Sequence, residues 1–209
     1  MFNIRMFHLG PMQTNSYLIW DDNKIGYLFD CGGKNIKALD NFIKENNIQL
    51  KYLILTHGHG DHIDGSIEIL EKNPEAQLYI GDEEKEFLTD DTLNLTNYML
   101  AVPFKYTGKF ISVKEGDKIG DFQVIDTPGH TRGSKCFYCQ KENLLISGDT
   151  MFQNSFGRYD LPTGNESELF MSLKKLCNIL PDNTIVLSGH TDSTTIGNEK
   201  QFLKKIRIL

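Results

Sequence analysis

The apolar and polar positions of the first ninety residues predict strands first, and then helices and strands in alternation. Short runs rich in apolar and β-branched residues, separated by polar turns, predict strands at residues 2–9, 16–20, 27–30, 51–55 and 77–80. Apolar residues recur at helical spacing over 35–46 and over 63–71, and a short acidic stretch after residue 80 predicts a further helix.

The second half of the chain repeats this order of elements. The pattern is weak over 90–110, where we expect a long connection of the kind that flanks a binding cleft. Strand patterns resume at residues 110–113, 117–120, 122–126, 135–138 and 144–147. They are followed by a predicted helix over 167–180, a strand over 185–187 and a last helix capped by Thr194 or Thr195. Two sheets packed together with helices outside would satisfy this order, in one domain over residues 1–209.

Composition and charge limit the kind of partner. The chain has 209 residues, 39% of them hydrophobic, and a formal net charge of −6, which disfavours nucleic acid as a partner. No apolar run is long enough to span a bilayer, and the first residues lack the features of a signal peptide. We therefore expect a cytoplasmic protein with no membrane partner. Its oligomeric state is not predicted.

The four cysteines are too few for a disulfide scaffold and fit a reducing compartment. Cys136 and Cys139 form a CxxC motif in an apolar, aromatic stretch that predicts a strand, with no second CxxC in the chain. We expect these two cysteines to be structural.

A cluster of potential metal ligands follows the predicted strand 51–55. Its sequence is Thr56-His57-Gly58-His59-Gly60-Asp61-His62. The glycines allow a tight loop in which imidazoles and a carboxylate converge on a small volume. His130, Asp149 and His190 repeat the design, because each follows an apolar strand and lies beside a glycine. Of the six histidines, His8 alone is outside this set.

These motifs resemble the metallo-β-lactamase-fold hydrolases, whose THxHxDH signature matches Thr56 to His62. The resemblance implies an α+β fold, a four-layer αββα sandwich, with two adjacent metal ions. It assigns His57, His59 and His130 to one metal, Asp61, His62 and His190 to the other, and Asp149 to a bridge between them. Asp30, which matches a family aspartate behind the site, would orient a ligand imidazole, although a plain turn residue is the alternative.

Such a pair of ions has a clear chemistry. Two divalent ions can share a water, lower its pKa towards about 7 and stabilise the oxygen that becomes negative, which gives hydrolysis at neutral pH. Histidine and aspartate ligands suit zinc best and also accept iron or manganese.

The segment 148–162 distinguishes branches of the family. It resembles the GDT...GR.DLP segment of small glyoxalase II-like thioesterases, as does the stretch 194–199. The resemblance implies that Arg158 binds the substrate, and an arginine fork can bind a carboxylate; an ion pair with Asp160 is the competing interpretation. The commonest metallo-β-lactamases carry a cysteine where this chain has Asp149, which weakens an antibiotic-hydrolysing function.

Departures from that branch affect the substrate. Arg132 replaces a usual proline, Thr191 and Asp192 replace a usual Gly-Pro, and the chain has no evident C-terminal helical domain to clamp glutathione. The leading prediction is a dinuclear thioesterase acting on hydroxyacylglutathione-type thioesters, by attack of a metal-bound hydroxide, with Asp61 assisting proton transfer. The alternatives are a persulfide dioxygenase with one iron on His57, His130 and Asp149, a lactone or phosphodiester hydrolase, and a non-catalytic metal-binding module.

Overall fold

The computed structural model describes residues 1–99 and 102–209. The described residues form two six-stranded mixed sheets. The chain divides into two units: residues 1–80 with 85–112, and residues 81–84 with 113–209. The organisation as one domain over residues 1–209 stays a prediction. Among the described residues, no helix has both the length and the apolar character needed to cross a membrane.

The first unit contains a sheet with strands in sequence order, namely β1 Asn3–Leu9, β2 Thr14–Trp20, β3 Ile25–Phe29, β4 Gln49–Ile54, β5 Gln77–Gly81 and β6 Ile111–Val113. The first three strands are antiparallel, and β3, β4 and β5 are parallel. Helices make the parallel crossovers, as such connections require. They are α1 Lys37–Glu45 between β3 and β4, and α2 Gly60–Ile63 with α3 Ser66–Lys72 between β4 and β5.

The core of this unit lies between the helices and the sheet. Leu39 and Ile43 of α1 and Ile69 of α3 are buried in one cluster with Leu28 and Leu53 of the sheet. Burying the apolar stripe of each helix against continuous apolar strands provides the main stabilisation of such a layer.

The predicted helix over 63–71 corresponds to α3, and a turn at Asp64 and Gly65 separates it from α2, which was not predicted. A Cβ atom on Gly65 would lie 2.5 Å from the carbonyl oxygen of Gly33 and 2.7 Å from Sγ of Cys31, so only glycine fits there. The predicted acidic helix after β5 is a 3₁₀ helix, Asp82–Leu88. The connection over 90–110 contains a short helix, α4 Thr96–Met99, and Leu100 and Ala101 lie outside the described residues.

The second unit contains a sheet of order β14-β13-β10-β9-β8-β7, formed by β7 Lys118–Ile119, β8 Phe122–Asp126, β9 Lys135–Cys139, β10 Leu144–Gly148, β13 Ile185–Ser188 and β14 Thr194–Thr195. Only β10 and β13 are parallel, and α5 Glu166–Ile179 lies between them in sequence. A small hairpin, β11 Met151–Phe152 and β12 Ser155–Phe156, follows β10 and was not predicted.

Two helices cover this second sheet. Leu169, Leu173 and Leu176 of α5 pack in one buried cluster with Ile196 and Leu203 of α6, Ile196–Lys205. Of the two predicted caps for the last helix, Thr195 is the one observed, because its side chain accepts a hydrogen bond from the Asn198 backbone N–H.

The positions of the cysteines agree with the structural role expected for Cys136 and Cys139. All four are free and buried, and Cys136 and Cys139 both lie in β9. Burial raises the pKa of the Cys136 thiol to about 11, so this thiol is not a reactive thiolate at neutral pH.

Candidate metal centre

In the first unit, the polypeptide after β4 brings three histidine rings together. The ring centroids of His57 and His59 are 4.8 Å apart, and those of His57 and His62 are 4.2 Å apart. All three residues are at most 3% exposed. Three imidazoles so close in a buried space are the donor set that a divalent ion requires, because neutral imidazole is its commonest protein ligand.

Asp30 lies directly behind these rings at the end of β3. It is 2% exposed and has a φ of +59°, a left-handed conformation that aspartate tolerates better than most residues. Its carboxylate accepts three hydrogen bonds of 2.8 Å, from the backbone N–H of Thr56, from the Thr56 hydroxyl and from Nδ1 of His62.

The Thr56 hydroxyl links Asp30 to a second histidine, His57, and orients its ring. Its single proton is directed to Asp30, so its oxygen accepts the bond from Nδ1 of His57 at 3.1 Å. The rings of His57 and His62 are then both protonated at Nδ1. Each therefore offers the lone pair of Nε2, which is the usual arrangement behind a metal ligand.

Asp61 places a carboxylate oxygen beside His62 in the first unit. Its Oδ2 is 3.7 Å from Nε2 of His62 and accepts a hydrogen bond of 3.2 Å from the Thr14 hydroxyl. The side chain of Asp61 is 12% exposed. Thr14 was not predicted as a site residue, because nothing in the local pattern around residue 14 points to residue 61.

In the second unit, two histidines meet one carboxylate oxygen. Oδ2 of Asp149 is 3.6 Å from Nε2 of His130 and 3.3 Å from Nε2 of His190. The side chains of His130 and Asp149 are 3% and 10% exposed, and that of His190 is 24% exposed. Nδ1 of His130 is 2.7 Å from the carbonyl oxygen of Arg158, so Nε2 of this ring is again the atom presented to Asp149.

The spacing of these atoms fits metal ligation. Two ligands at about 2.0–2.1 Å from a tetrahedral ion are roughly 3.3 Å apart. The separations of 3.3 to 3.7 Å between the histidine nitrogens and the aspartate oxygens are close to this value. Imidazole and carboxylate are donors that zinc, iron and manganese accept.

Gly157 permits the close approach of the Arg158 segment to these ligands. A Cβ atom at residue 157 would lie 1.8 Å from the carbonyl oxygen of Asp149 and 3.1 Å from Nδ1 of His130. The glycine therefore lets one stretch of backbone support two predicted ligands at once.

The Arg158 side chain forms the ion pair that was the competing interpretation. Its Nε and Nη2 donate to the two carboxylate oxygens of Asp160 at 2.7 and 2.8 Å, and both side chains are more than 60% exposed. The guanidinium holds the pKa of Asp160 at about 2, so the pair is charged at neutral pH. Substrate binding by Arg158 stays a prediction.

A model of the metallo-β-lactamase superfamily matches residues 9–190 of this chain. The chain belongs to the metallo-β-lactamase superfamily. The matched region contains all seven predicted ligands, and members of this superfamily are typically metal-dependent hydrolases.

Two curated relatives align over nearly their full length. The chain is 36% identical over 203 residues to the probable metallo-hydrolase YqgX of Bacillus subtilis, covering 94% of this chain and 93% of the relative. It is 30% identical over 205 residues to the hydroxyacylglutathione hydrolase GloC of Haemophilus influenzae, covering 95% of each.

Solved structures confirm the predicted fold. The BLEG-1 B3 metallo-β-lactamase has a TM-score of 0.87 at 36% identity and covers 96% of this chain and 97% of its own. TTHA1623, solved in a di-iron-bound form, has a TM-score of 0.86 at 31% identity and covers 95% and 98%. ETHE1 from Myxococcus xanthus has a TM-score of 0.76 at 26% identity and covers 96% and 82%. The fold and the His and Asp residues suggest two metal ions.

Proposed function

We propose that this protein is a dinuclear metal hydrolase that cleaves thioesters of the hydroxyacylglutathione type. One ion would be held by His57, His59 and His130, the other by Asp61, His62 and His190, with Asp149 bridging them. The observation that carries the proposal is the orientation of the ligand rings. Nδ1 of His57, His62 and His130 is in each case bonded to an oxygen, which leaves Nε2 for a metal.

Two divalent ions held there, zinc by preference with iron or manganese as substitutes, would supply a hydroxide nucleophile at neutral pH and a Lewis acid for a carbonyl oxygen. The protein supplies orientation and a proton acceptor. Asp30 and Thr56 hold His57 and His62 in the required tautomer, and the carboxylate of Asp61, oriented by Thr14, accepts a proton at an oxygen.

The substrate assignment rests on similarity and on one side chain. A relative that aligns over 95% of its own length and 95% of this chain is a hydroxyacylglutathione hydrolase. The guanidinium of Arg158 is 61% exposed and its carbonyl group bonds the predicted ligand His130, so this arginine is anchored next to the metal site. A substrate carboxylate would replace Asp160 as the partner of its fork. The free, buried cysteines fit the reducing cytoplasm as the site of this activity.

A second function needs only part of the ligand set. His130 and Asp149 meet in the second unit, and together with His57 they would form the two-His, one-carboxylate set of iron oxygenases. One iron per chain and oxygen consumption with a persulfide would identify that enzyme. Two metals per chain without oxygen uptake would support the hydrolase.

The proposal is tested with metal-loaded protein and a panel of substrates comprising S-D-lactoylglutathione, a β-lactam, a lactone and a phosphodiester. The β-lactam is included because a similar structure is a B3 metallo-β-lactamase. We expect the thioester to be hydrolysed fastest, and His57→Ala and Asp149→Ala to lower that rate at least about a hundredfold. His8→Ala is the matched control, because His8 is an exposed residue of β1 outside the ligand set. A wild-type rate no higher than that of the two ligand variants would refute the thioesterase assignment.

A further inference from the structure

We propose that Phe152 forms an apolar wall of the substrate site beside His190. This wall contacts an apolar group attached to the thioester sulphur or carbonyl. Glu199 holds Phe152 in position. The inference rests on the proposed function for the place of the metal. It adds a specificity-determining residue that the ligand motifs do not contain.

Phe152 lies against a predicted metal ligand. Its ring is perpendicular to that of His190, with a centroid separation of 6.1 Å and an interplanar angle of 89°. Phe152 is half-buried, and the His190 side chain is 24% exposed. Both side chains therefore retain some accessible surface.

The other aromatic residue of the hairpin has a different environment. Phe156 stacks edge-on against Phe170 of α5, with ring centroids 5.5 Å apart, and packs against the core beneath α5 and α6. Within the described part of the chain, Phe152 is not among the half-buried residues that pack against that core. Packing beneath the helices thus explains Phe156 and does not explain Phe152.

The hairpin is bonded on two sides, which makes Phe152 a fixed wall. The backbone N–H of Gln153 donates to the Thr191 hydroxyl at 3.0 Å, next to His190. The backbone N–H of Asn154, at the turn, donates to Oε2 of Glu199 at 2.9 Å. Oε1 of the same carboxylate accepts a bond of 2.6 Å from the Thr194 hydroxyl.

Burying the Glu199 carboxyl group costs desolvation free energy, which only its hydrogen bonds can offset. It is 1% exposed and lies in α6, where an apolar side chain would pack without any desolvation cost. What the carboxylate adds is a pair of acceptors at fixed points, one of which holds the hairpin turn. Glu199 therefore acts on the substrate site through the hairpin.

The phenyl ring defines the chemistry of the group it would contact. It has no hydrogen-bonding atom, so it favours methylene, methyl or aromatic groups, and full burial of a methylene strengthens binding about fourfold. Because a single phenyl ring covers only part of each methylene group, we expect about twofold tighter binding for each methylene added to the ligand.

The test measures binding without turnover. S-methyl-, S-butyl- and S-hexylglutathione are titrated calorimetrically into metal-loaded protein, because these thioethers cannot be hydrolysed. We expect the wild type to bind more tightly as the chain lengthens, and Phe152→Ala to lose most of this dependence at unchanged metal content. Phe156→Leu, on the same hairpin, should keep the wild-type dependence, and so should Phe152→Leu in part.

Glu199→Ala separates positioning from general stability. We expect it to reduce the chain-length dependence as Phe152→Ala does, at a temperature where the variant is fully folded and metal-loaded. The proposal is overturned if the wild type shows no chain-length dependence, or if Phe152→Ala and Glu199→Ala retain it. The proposed thioesterase is judged separately, since a wild type that shows the dependence but hydrolyses no thioester would refute only the thioesterase.

Discussion

A single buried residue, Asp30, determines which ring nitrogen is protonated in two histidines. Asp30 bonds His62 directly and His57 through the Thr56 hydroxyl. Asp30 was predicted as a supporting residue because it matches an aspartate behind the site in the metallo-β-lactamase-fold hydrolases. The sequence could not predict the route through Thr56, since a motif gives the order of residues and not the direction of a hydroxyl proton.

Asp30→Asn should lower metal affinity by about 10- to 100-fold, the usual effect of losing a partner behind a metal ligand. Asparagine tolerates the left-handed φ of +59° at this position, so the backbone is retained. Competition with a chromogenic chelator measures the affinity. Asp40→Asn is the control, because Asp40 is also buried but pairs with Lys44. Equal affinities for the Asp30 variant and the wild type would contradict the role of Asp30.

Thr56→Val removes the hydroxyl between Asp30 and His57 while keeping the shape of the side chain. We expect roughly tenfold weaker metal binding, because Nδ1 of His57 loses its acceptor at 3.1 Å. Thr56→Ser retains a hydroxyl and should restore most of the affinity. If serine and valine weaken binding equally, the hydroxyl is not the cause.

At the scale of elements, the hydrophobic pattern predicted most strands and the long helices, because these bury continuous or periodic apolar residues. It misplaced elements whose ends depend on polar contacts. β2 begins at Thr14, where the sequence predicted a start at residue 16, and Thr14 is a polar residue bonded to Asp61. The hairpin Met151–Phe156 has two residues per strand, too few to give a pattern, although it is next to a predicted ligand.

Gly157→Ala should weaken metal binding and destabilise the protein, by about 1–3 kcal/mol as for other overpacked sites. Its Cβ atom would lie 1.8 Å from the carbonyl oxygen of Asp149. Gly116→Ala is the control, since residue 116 has a φ of +84° and no atom within 4 Å of the added Cβ. The control should lose about 1 kcal/mol through strain alone and keep its metal affinity. Denaturant unfolding and chelator competition measure the two effects, and metal binding by Gly157→Ala equal to that of Gly116→Ala would contradict the prediction.

The carboxyl group of Glu199 should make the free energy of unfolding depend on pH. Burial raises the pKa of the Glu199 carboxyl, so the folded state binds more protons than the unfolded state between the ordinary and the raised pKa. The contribution of Glu199 is therefore largest below its ordinary pKa and falls as pH rises through the raised one. Glu199→Gln, which does not titrate, should gain stability relative to the wild type as the pH rises above the ordinary glutamate pKa of about 4.3. Urea unfolding of both metal-free proteins across this pH range provides the comparison, and a constant difference would contradict it.

For the whole molecule, metal binding and folding should be linked. Ions that bind the folded state alone stabilise it, by about 2.7 kcal/mol for one site at a hundredfold excess over Kd. For a chain of this length, that corresponds to a rise in Tm of roughly 5–10 °C. Scanning calorimetry with and without a chelator should show this rise in the wild type and in His8→Ala. The rise should be much smaller in His57→Ala, and an equal rise there would exclude His57 as a ligand.

The most direct test of the dinuclear hydrolase is a titration of metal-free protein with zinc, followed by assay of S-D-lactoylglutathione hydrolysis and by elemental analysis of the same samples. A dinuclear hydrolase should reach its maximal activity at two ions per chain. Full activity at one ion per chain, or no hydrolysis with two ions bound, would contradict it.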